Sequence, residues 1–275
     1  MKPKPKVIVI LGQTATGKSE LAVLIAHKIG GEIISADSRQ VYKKLDIGTG
    51  KITKKEMRGI PHYLLNVANP KRRFTVAQYQ KKAIYAIAEI IKRGKVPIIC
   101  GGTGFYIDAI TKGVVFPQVP PNIKLRKQLE KKTVLQLLKI LKKLDRIRAK
   151  NIDPKNKVRL IRAIEIAQAL GCVPHLAVKP PSYRFIKIGL YLSPEKLKKK
   201  VEKRVKQMFQ DGLLNEIKKL KKSGISDKRL KEFGFEYFKP TKDKVITETL
   251  KYAKRQMTWF KRDKEINWIN ASVLF

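Results

Sequence analysis

The octapeptide GQTATGKS, Gly12–Ser19, spaces Gly, four residues and Gly-Lys-Ser directly after the apolar run KVIVIL and directly before a helical pattern. No other feature of the chain constrains its fold as strongly. A strand that ends in a glycine-rich turn and opens a helix aims backbone N–H groups at phosphate oxygens, while the lysine adds charge and the Ser hydroxyl reaches Mg2+. The candidate phosphate site is therefore Gly12, Gln13, Thr14, Ala15, Thr16, Gly17, Lys18 and Ser19, with Lys18 on terminal oxygens and Ser19 on the metal. Such a cradle holds a nucleoside triphosphate or a diphosphate equally well.

Strand and helix signals alternate around this turn. After it, Leu21, Ala22, Leu24, Ile25 and Ile29 recur at helical spacing until Gly30. EIISAD reads as a strand ending at Asp37, and VPIIC as a strand leading into Gly101–Gly104. Between them Thr75 and Gln78 have capping-box spacing, and Val76, Tyr79, Ala83, Ile84, Ile87, Ile90 and Ile91 make one apolar stripe that ends at Gly94. Alternation of this kind predicts an open parallel α/β sheet whose ligands lie at the carboxyl ends of the strands. Gly12–Ser19, Asp37 and Gly101–Thr103 are all expected there.

From residue 117 the pattern is helical only, with helices over VLQLLKILKKL and KNKVRLIRAIEIAQAL, bracketed by prolines 117, 120 and 121 and by KPP at 179–181. The strand FIKIGLYL then returns to the sheet. Ser193 and Pro194 start a long helix through Met208 and Phe209, another helix spans 244–261, and EINWI closes the sheet. The expected organisation is a core of residues 1–116 plus 185–275, with residues 117–184 as a helical insertion.

Among the charged candidates, Asp37 ends an apolar strand, which suits either support of a metal or a general base facing the crevice. Gly101–Gly104 suits a simple tight turn or a close approach of backbone to ligand, with Thr103 near Asp37. Arg204 lies beside the stripe Val201, Val205, Met208 and Phe209, where periodicity gives it no more than a solvated place. Lys254, Arg255, Gln256, Trp259, Lys261 and Arg262 interleave base and aromatic as a nucleic-acid surface does, although a packed Trp among surface lysines has the same pattern.

Lys and Arg number 62 against 22 Asp and Glu, a formal charge of +40, and residues 117–184 are densest with 17 basic and 4 acidic side chains. Clustered positive charge attracts phosphate polymers, and lysine inflation by an AT-rich genome produces similar totals. Two cysteines, Cys100 and Cys172, and three scattered histidines, His27, His62 and His175, make neither a disulfide framework nor a zinc site. With no signal peptide and no apolar run long enough to span a bilayer, a reduced, cytoplasmic chain is expected.

In order, GQTATGKSELA, EIISADSRQVYKKLDIGTGK, GIPHYLLNVANP, ICGGTGFYIDAI, KVRLIRAIEI, EKRVKQMFQDGL and KRQMTWFKRD resemble the tRNA dimethylallyltransferase (tRNA isopentenyltransferase) family over nearly the whole chain. The resemblance implies a P-loop NTPase-like parallel sheet core with an all-helical insertion domain that meets the tRNA anticodon arm. It implies transfer of dimethylallyl from dimethylallyl diphosphate to N6 of the adenosine 3′-adjacent to the anticodon, with Mg2+, in a monomer. Asp37 is then the general base, Thr103 positions the reacting centre, Arg204 binds the departing diphosphate and Gly12–Ser19 cradles it. Asp37, Ser38, Arg39, Gln40 and Thr103 would contact the target base. Lys124, Val158, Arg159, Leu160, Ile161, Arg162, Lys254, Arg255, Gln256, Trp259 and Lys261 would grip the RNA. Gly50 stands where the family commonly has alanine, and Tyr63 and Asn66 where it has His and Asp. Rival functions are an adenylate isopentenyltransferase acting on free nucleotides and an RNA-linked P-loop ATPase or kinase.

Overall fold

The computed structural model describes residues 3–175 and 177–274. Its first stretch runs β1 (Lys6–Gly12), α1 (Lys18–Ile29), β2 (Gly31–Ser35), α2 (Lys54–Met57), β3 (His62–Tyr63), α3 (Val76–Lys92), β4 (Val96–Cys100) and α4 (Gly104–Thr111). Four helices follow: α5 (Ile123–Glu130), α6 (Val134–Leu144), α7 (Arg146–Asn151) and α8 (Lys157–Leu170). The chain ends with β5 (Arg184–Tyr191), α9 (Pro194–Gln210), α10 (Leu213–Lys222), α11 (Asp227–Phe233), α12 (Lys242–Phe260) and β6 (Ile266–Asn270).

The six strands form one sheet of order β3-β2-β4-β1-β5-β6, and every pairing is parallel. β1 lies inside it, with Ile10 opposite Cys100 on one side and Ile188 on the other. Alternation along β1 feeds two cores. Val7, Val9 and Leu11 pack with Tyr79, Ala83 and Ile87 of α3, whereas Ile10 packs with Ala22, Val23 and Ala26 of α1. Each such buried Val or Ile contributes roughly 1.5–3 kcal/mol, and helices on both faces allow the sheet to be apolar on both. Local signals formed as their residue types dictate: Thr75 and Gln78 make the reciprocal capping box of α3, and Ser193 caps α9 with Pro194 in its first turn.

The chain divides into two compact units, one of residues up to Gly113 together with those from Pro180, the other Val114–Lys179. The second unit holds α5–α8 around Leu129, Leu137, Leu141, Ile152, Leu160, Ile161 and Ile164. Its buried Glu165 accepts from the Asn122 N–H at 2.7 Å and from the guanidinium groups of Arg126 and Arg162. Those partners hold the Glu165 carboxyl below the usual carboxylate range, against the opposing effect of burial. The cut after Lys179 differs from the expected return at 185 because Arg184 already pairs with Lys6 and donates its N–H to Pro5 at 2.9 Å. Among the described residues no helix is long and apolar enough to cross a membrane.

Candidate active site

Three loops are locked together where β1, β2 and β4 end. The Ala36 N–H donates to Cys100 at 2.7 Å, Gly101 to Ile10 at 3.0 Å and Thr103 to Ala36 at 3.1 Å. Gly101 fits only without a side chain, because a Cβ there would lie 2.3 Å from the Ala36 carbonyl oxygen. Thr103 Oγ1 accepts from the Ser38 N–H at 3.0 Å, and the Tyr252 hydroxyl lies 3.5 Å from the Gly102 carbonyl beside it. Gln256, buried on α12, accepts from Thr14 N–H at 2.8 Å through Oε1 and donates to the Gly102 carbonyl at 2.9 Å through Nε2. It ties the phosphate loop to the glycine turn.

The loop itself is held from below. Gln13 accepts the Leu192 N–H on Oε1 at 3.1 Å, and its carbonyl accepts from the Thr16 hydroxyl at 2.8 Å and from the Lys18 ammonium. Ala15 at φ 60° and Gly17 at φ 84° adopt left-handed backbone, which turns neighbouring N–H groups into an anion-binding concavity at the start of α1. Left-handed backbone costs a non-glycine residue about 1–3 kcal/mol, so Ala15 is strained where the loop presents its N–H groups. Burial pushes the Lys18 ammonium down to about 8; Arg204 pushes the same way, while Cys100 and Asp37 oppose it. Burial also pushes the Cys100 thiol up to about 11, which keeps it protonated and excludes it as a nucleophile. Ser19 stands in the first turn of α1 and lines the same cavity as Cys100.

Asp37 lies beyond β2 and closes a turn: its Oδ1 accepts the N–H of Arg39 at 2.7 Å and of Gln40 at 3.2 Å. Its Oδ2 takes no hydrogen bond from any described residue. Arg204 reaches in from α9, donating to Thr14 Oγ1 at 3.2 Å and to the Thr49 carbonyl at 3.2 Å. Burial lowers the pKa of this guanidinium, against the pull of Asp37 and Glu236. Residues 14–19, Asp37, Ser38, Arg39, Gln40, Arg204, Arg255 and Gln256 all line one cavity of about 540 Å³ within the sheet unit.

Other expected contacts sit elsewhere. Trp259 is half-buried, lies against Gly104 and donates from Nε1 to Asp108 at 3.2 Å, so it packs on α4. Lys254 and Lys261 are exposed on α12. In the helical unit Lys124, Val158 and Arg159 are exposed and Arg162 pairs with Glu165, whereas the Leu160 and Ile161 side chains belong to that unit's core. Gln256 is likewise a buried bridge between loops. The signal for it was its place on the buried stripe Val245, Thr249, Ala253, Gln256 and Phe260, at spacings of three and four. Glu236, which sequence reasoning passed over, also lines the cavity, and burial pushes its carboxyl up to about 7.

Comparison with known proteins agrees with this arrangement. Residues 40–263 match the family model described as IPP transferase. A tRNA dimethylallyltransferase from Halothermothrix orenii is 42% identical over 286 residues, covering 96% of this chain and 87% of the relative. One from a Cyanothece strain is 39% identical, covering 98% and 94%. Among solved structures, the tRNA isopentenylpyrophosphate transferase of Bacillus halodurans superposes with a TM-score of 0.72 at 34% identity, covering 98% of this chain and 90% of that one. A eukaryotic dimethylallyltransferase described as acting on tRNA gives 0.83 at 28% identity, covering 97% and 74%. The family model begins after the phosphate loop, yet the relatives span both regions at this identity, and the chain therefore belongs to the IPP transferase family.

Proposed function

We propose that the protein transfers a dimethylallyl group from dimethylallyl diphosphate to N6 of the adenosine 3′-adjacent to the anticodon in tRNA, releasing diphosphate. The observation that carries this reading is one cavity combining a phosphate loop, the Arg204 guanidinium and a carboxylate, Asp37, with one oxygen left over. The family membership and the names of the relatives support the same substrate pair.

The N–H groups of the phosphate loop, Lys18 and Arg204 neutralise the diphosphate, which makes it a better leaving group. The bond between the allylic carbon and the diphosphate oxygen breaks, its electron pair leaves on the diphosphate, and adenine N6 forms the new bond to carbon. The N6 proton passes to Asp37 Oδ2, because the amine's lone pair is delocalised into the ring and becomes nucleophilic only as that proton is drawn off. Thr103 and Ser38, joined by their 3.0 Å hydrogen bond, border the base. An adenine that enters must first leave its stack.

The described residues include no group of three His, Cys, Asp or Glu side chains able to hold a metal alone. The Ser19 hydroxyl beside the phosphate loop fits Mg2+, a hard cation that takes most of its oxygens from substrate phosphates and water. Bound there, it would add charge against the diphosphate. The helical unit, with Lys124 and Arg159 exposed, is assigned to the anticodon arm, and the exposed Lys254, Arg255 and Lys261 of α12 to neighbouring phosphates. The enzyme is proposed to act as a cytoplasmic monomer.

The direct test incubates purified protein with unmodified tRNA and dimethylallyl diphosphate, then digests the RNA for mass spectrometry. One adenosine heavier by a five-carbon prenyl unit is expected. Hydrolysis of ATP without any adduct would instead establish the RNA-linked ATPase, and an adduct on free AMP alone the adenylate enzyme.

Glu236 contributes to the pH dependence of diphosphate binding, alongside Lys18. Burial and Asp37 raise its carboxyl to about 7, against Arg39 and Arg204, while Lys18, Tyr252 and Arg255 line the same cavity. A diphosphate brings more negative charge and raises the carboxyl further. Below pH 7 the group already holds its proton, so it leaves affinity unchanged; above pH 7 binding must take a proton up, and affinity falls as pH rises. Calorimetry with inorganic diphosphate at pH 8, in two buffers of different ionisation heat, should show uptake smaller by about one proton in Glu236→Gln than in the parent. Equal uptake in both would remove Glu236 from the linkage.

A further inference from the structure

Glu216, on α10, makes four hydrogen bonds to groups far from it in sequence. Its Oε2 accepts the N–H of Asp46 at 2.9 Å and of Ile47 at 2.8 Å, and its Oε1 accepts the N–H of Gly48 at 3.1 Å and the Tyr237 hydroxyl at 2.8 Å. Three consecutive backbone donors on one carboxylate fix the path of the chain, because each N–H direction is set by the dihedrals of its neighbours. The Tyr237 ring closes the other side of the turn against Gly48.

The carbonyls immediately after this turn face the cavity. The Thr49 carbonyl accepts from Arg204 at 3.2 Å, and the Thr49 and Gly50 carbonyls accept from Gln40 Nε2 at 3.4 and 3.3 Å. Gly50, at φ 55°, lets the guanidinium lie directly on backbone, since a Cβ there would be 2.2 Å from Arg204 Nη2. An arginine side chain has several rotatable bonds, and only fixed acceptors hold it in one place. Among the described residues Arg204 has two, Thr14 Oγ1 in the phosphate loop and the Thr49 carbonyl. The second directly follows the three N–H groups that Glu216 holds, in a turn also closed by the Thr49 hydroxyl on the Leu45 carbonyl at 2.8 Å.

We infer that Glu216 is a positioning residue for the diphosphate site, acting through the Asp46–Gly50 turn to hold Arg204 against the phosphate loop. The inference rests on reading Arg204 and that loop as the diphosphate cradle. Glu216→Gln keeps the shape and one acceptor oxygen but turns an NH2 group toward donors, so the turn loosens while α10 still packs through Leu213, Ile217 and Leu220.

The test is a double-mutant cycle on the Kd for inorganic diphosphate, with tRNA affinity measured in parallel. Arg204→Gln is expected to weaken diphosphate about tenfold or more, as loss of a charge-assisted contact does. Glu216→Gln should weaken it about fivefold, and should cost less than about twofold in the Arg204→Gln background, because coupled residues share one loss. Affinity for tRNA should stay within about twofold throughout, which general damage to the fold would not permit. Tyr237→Phe, which removes only the hydroxyl donated to Glu216, should weaken diphosphate by about twofold and serves if Glu216→Gln does not fold. Unchanged affinity in Arg204→Gln would overturn the diphosphate reading and this inference with it. A normal loss in Arg204→Gln, combined with no loss in Glu216→Gln or with losses that multiply in full, would overturn the inference alone. If Glu216→Gln does not fold, unchanged affinity in Tyr237→Phe has the same consequence.

Discussion

Asp37→Asn is expected to slow transfer by about 10²- to 10⁴-fold at saturating substrates, the range for loss of a general base. The fold should not suffer. Asn retains the Oδ1 that accepts the Arg39 and Gln40 N–H groups, so the turn placing residues 38–40 beside Thr103 survives. What is lost is the second carboxylate oxygen, which no described residue engages. Single-turnover rates, with diphosphate and tRNA affinities from separate titrations, isolate the chemical step. If Asp37 instead supported the metal, the variant would need more Mg2+ and would recover its rate when Mg2+ was raised. A rate still depressed at saturating Mg2+ assigns the proton to Asp37.

How much of this site a sequence reveals depends on where its hydrogen bonds go. The phosphate loop, the Thr75–Gln78 capping box and the Ser193–Pro194 helix start were legible because their partners lie within a few residues. The convergence of residues 12–19, 37 and 101–103 was legible through topology, since parallel strands put their carboxyl ends on one side. The short strand β3 was not, because two residues acquire strand character only by pairing with Ile33 and Ile34.

Arg204 marks the boundary. By periodicity it belonged in solvent, and family resemblance alone singled it out. Its acceptors, Thr14 and Thr49, lie 190 and 155 residues earlier in the chain. Glu216, Glu236 and the bridging role of Gln256 were hidden for the same reason. The segment 158–162 shows the opposite limit: resemblance assigns it whole to RNA, whereas helical geometry must bury some of any five consecutive residues on a packed helix, and here it turns the Leu160 and Ile161 side chains into the core.

Lys18→Met is expected to slow transfer by about 10²- to 10³-fold while making the protein more stable, and the two opposite signs have one cause. The ammonium is placed where burial lowers its pKa from 10.5 to about 8, so the charged form is held at a cost in the folded chain. At 1.36 kcal/mol per pH unit, that penalty is on the order of 3 kcal/mol as an upper bound, which solvent relaxation reduces. Met fills a similar volume without the charge. Below pH 8 lysine is protonated in both folded and unfolded chains, and the full penalty applies. As pH rises from 8 toward 10.5 the folded form sheds its proton first, and the penalty disappears. Thermal melts of parent and variant without diphosphate should therefore differ most at pH 7 and draw together as pH rises toward about 10.5. Adding diphosphate at pH 7 should reverse the order, since the parent alone gains the charge-assisted contacts that stabilise a ligand-bound fold. Removing one such charge from a leaving-group site costs about 10²- to 10³-fold in rate. A variant that was slowed and also less stable at every pH would mean that Lys18 serves the fold through its hydrogen bond to Gln13 and not only the diphosphate.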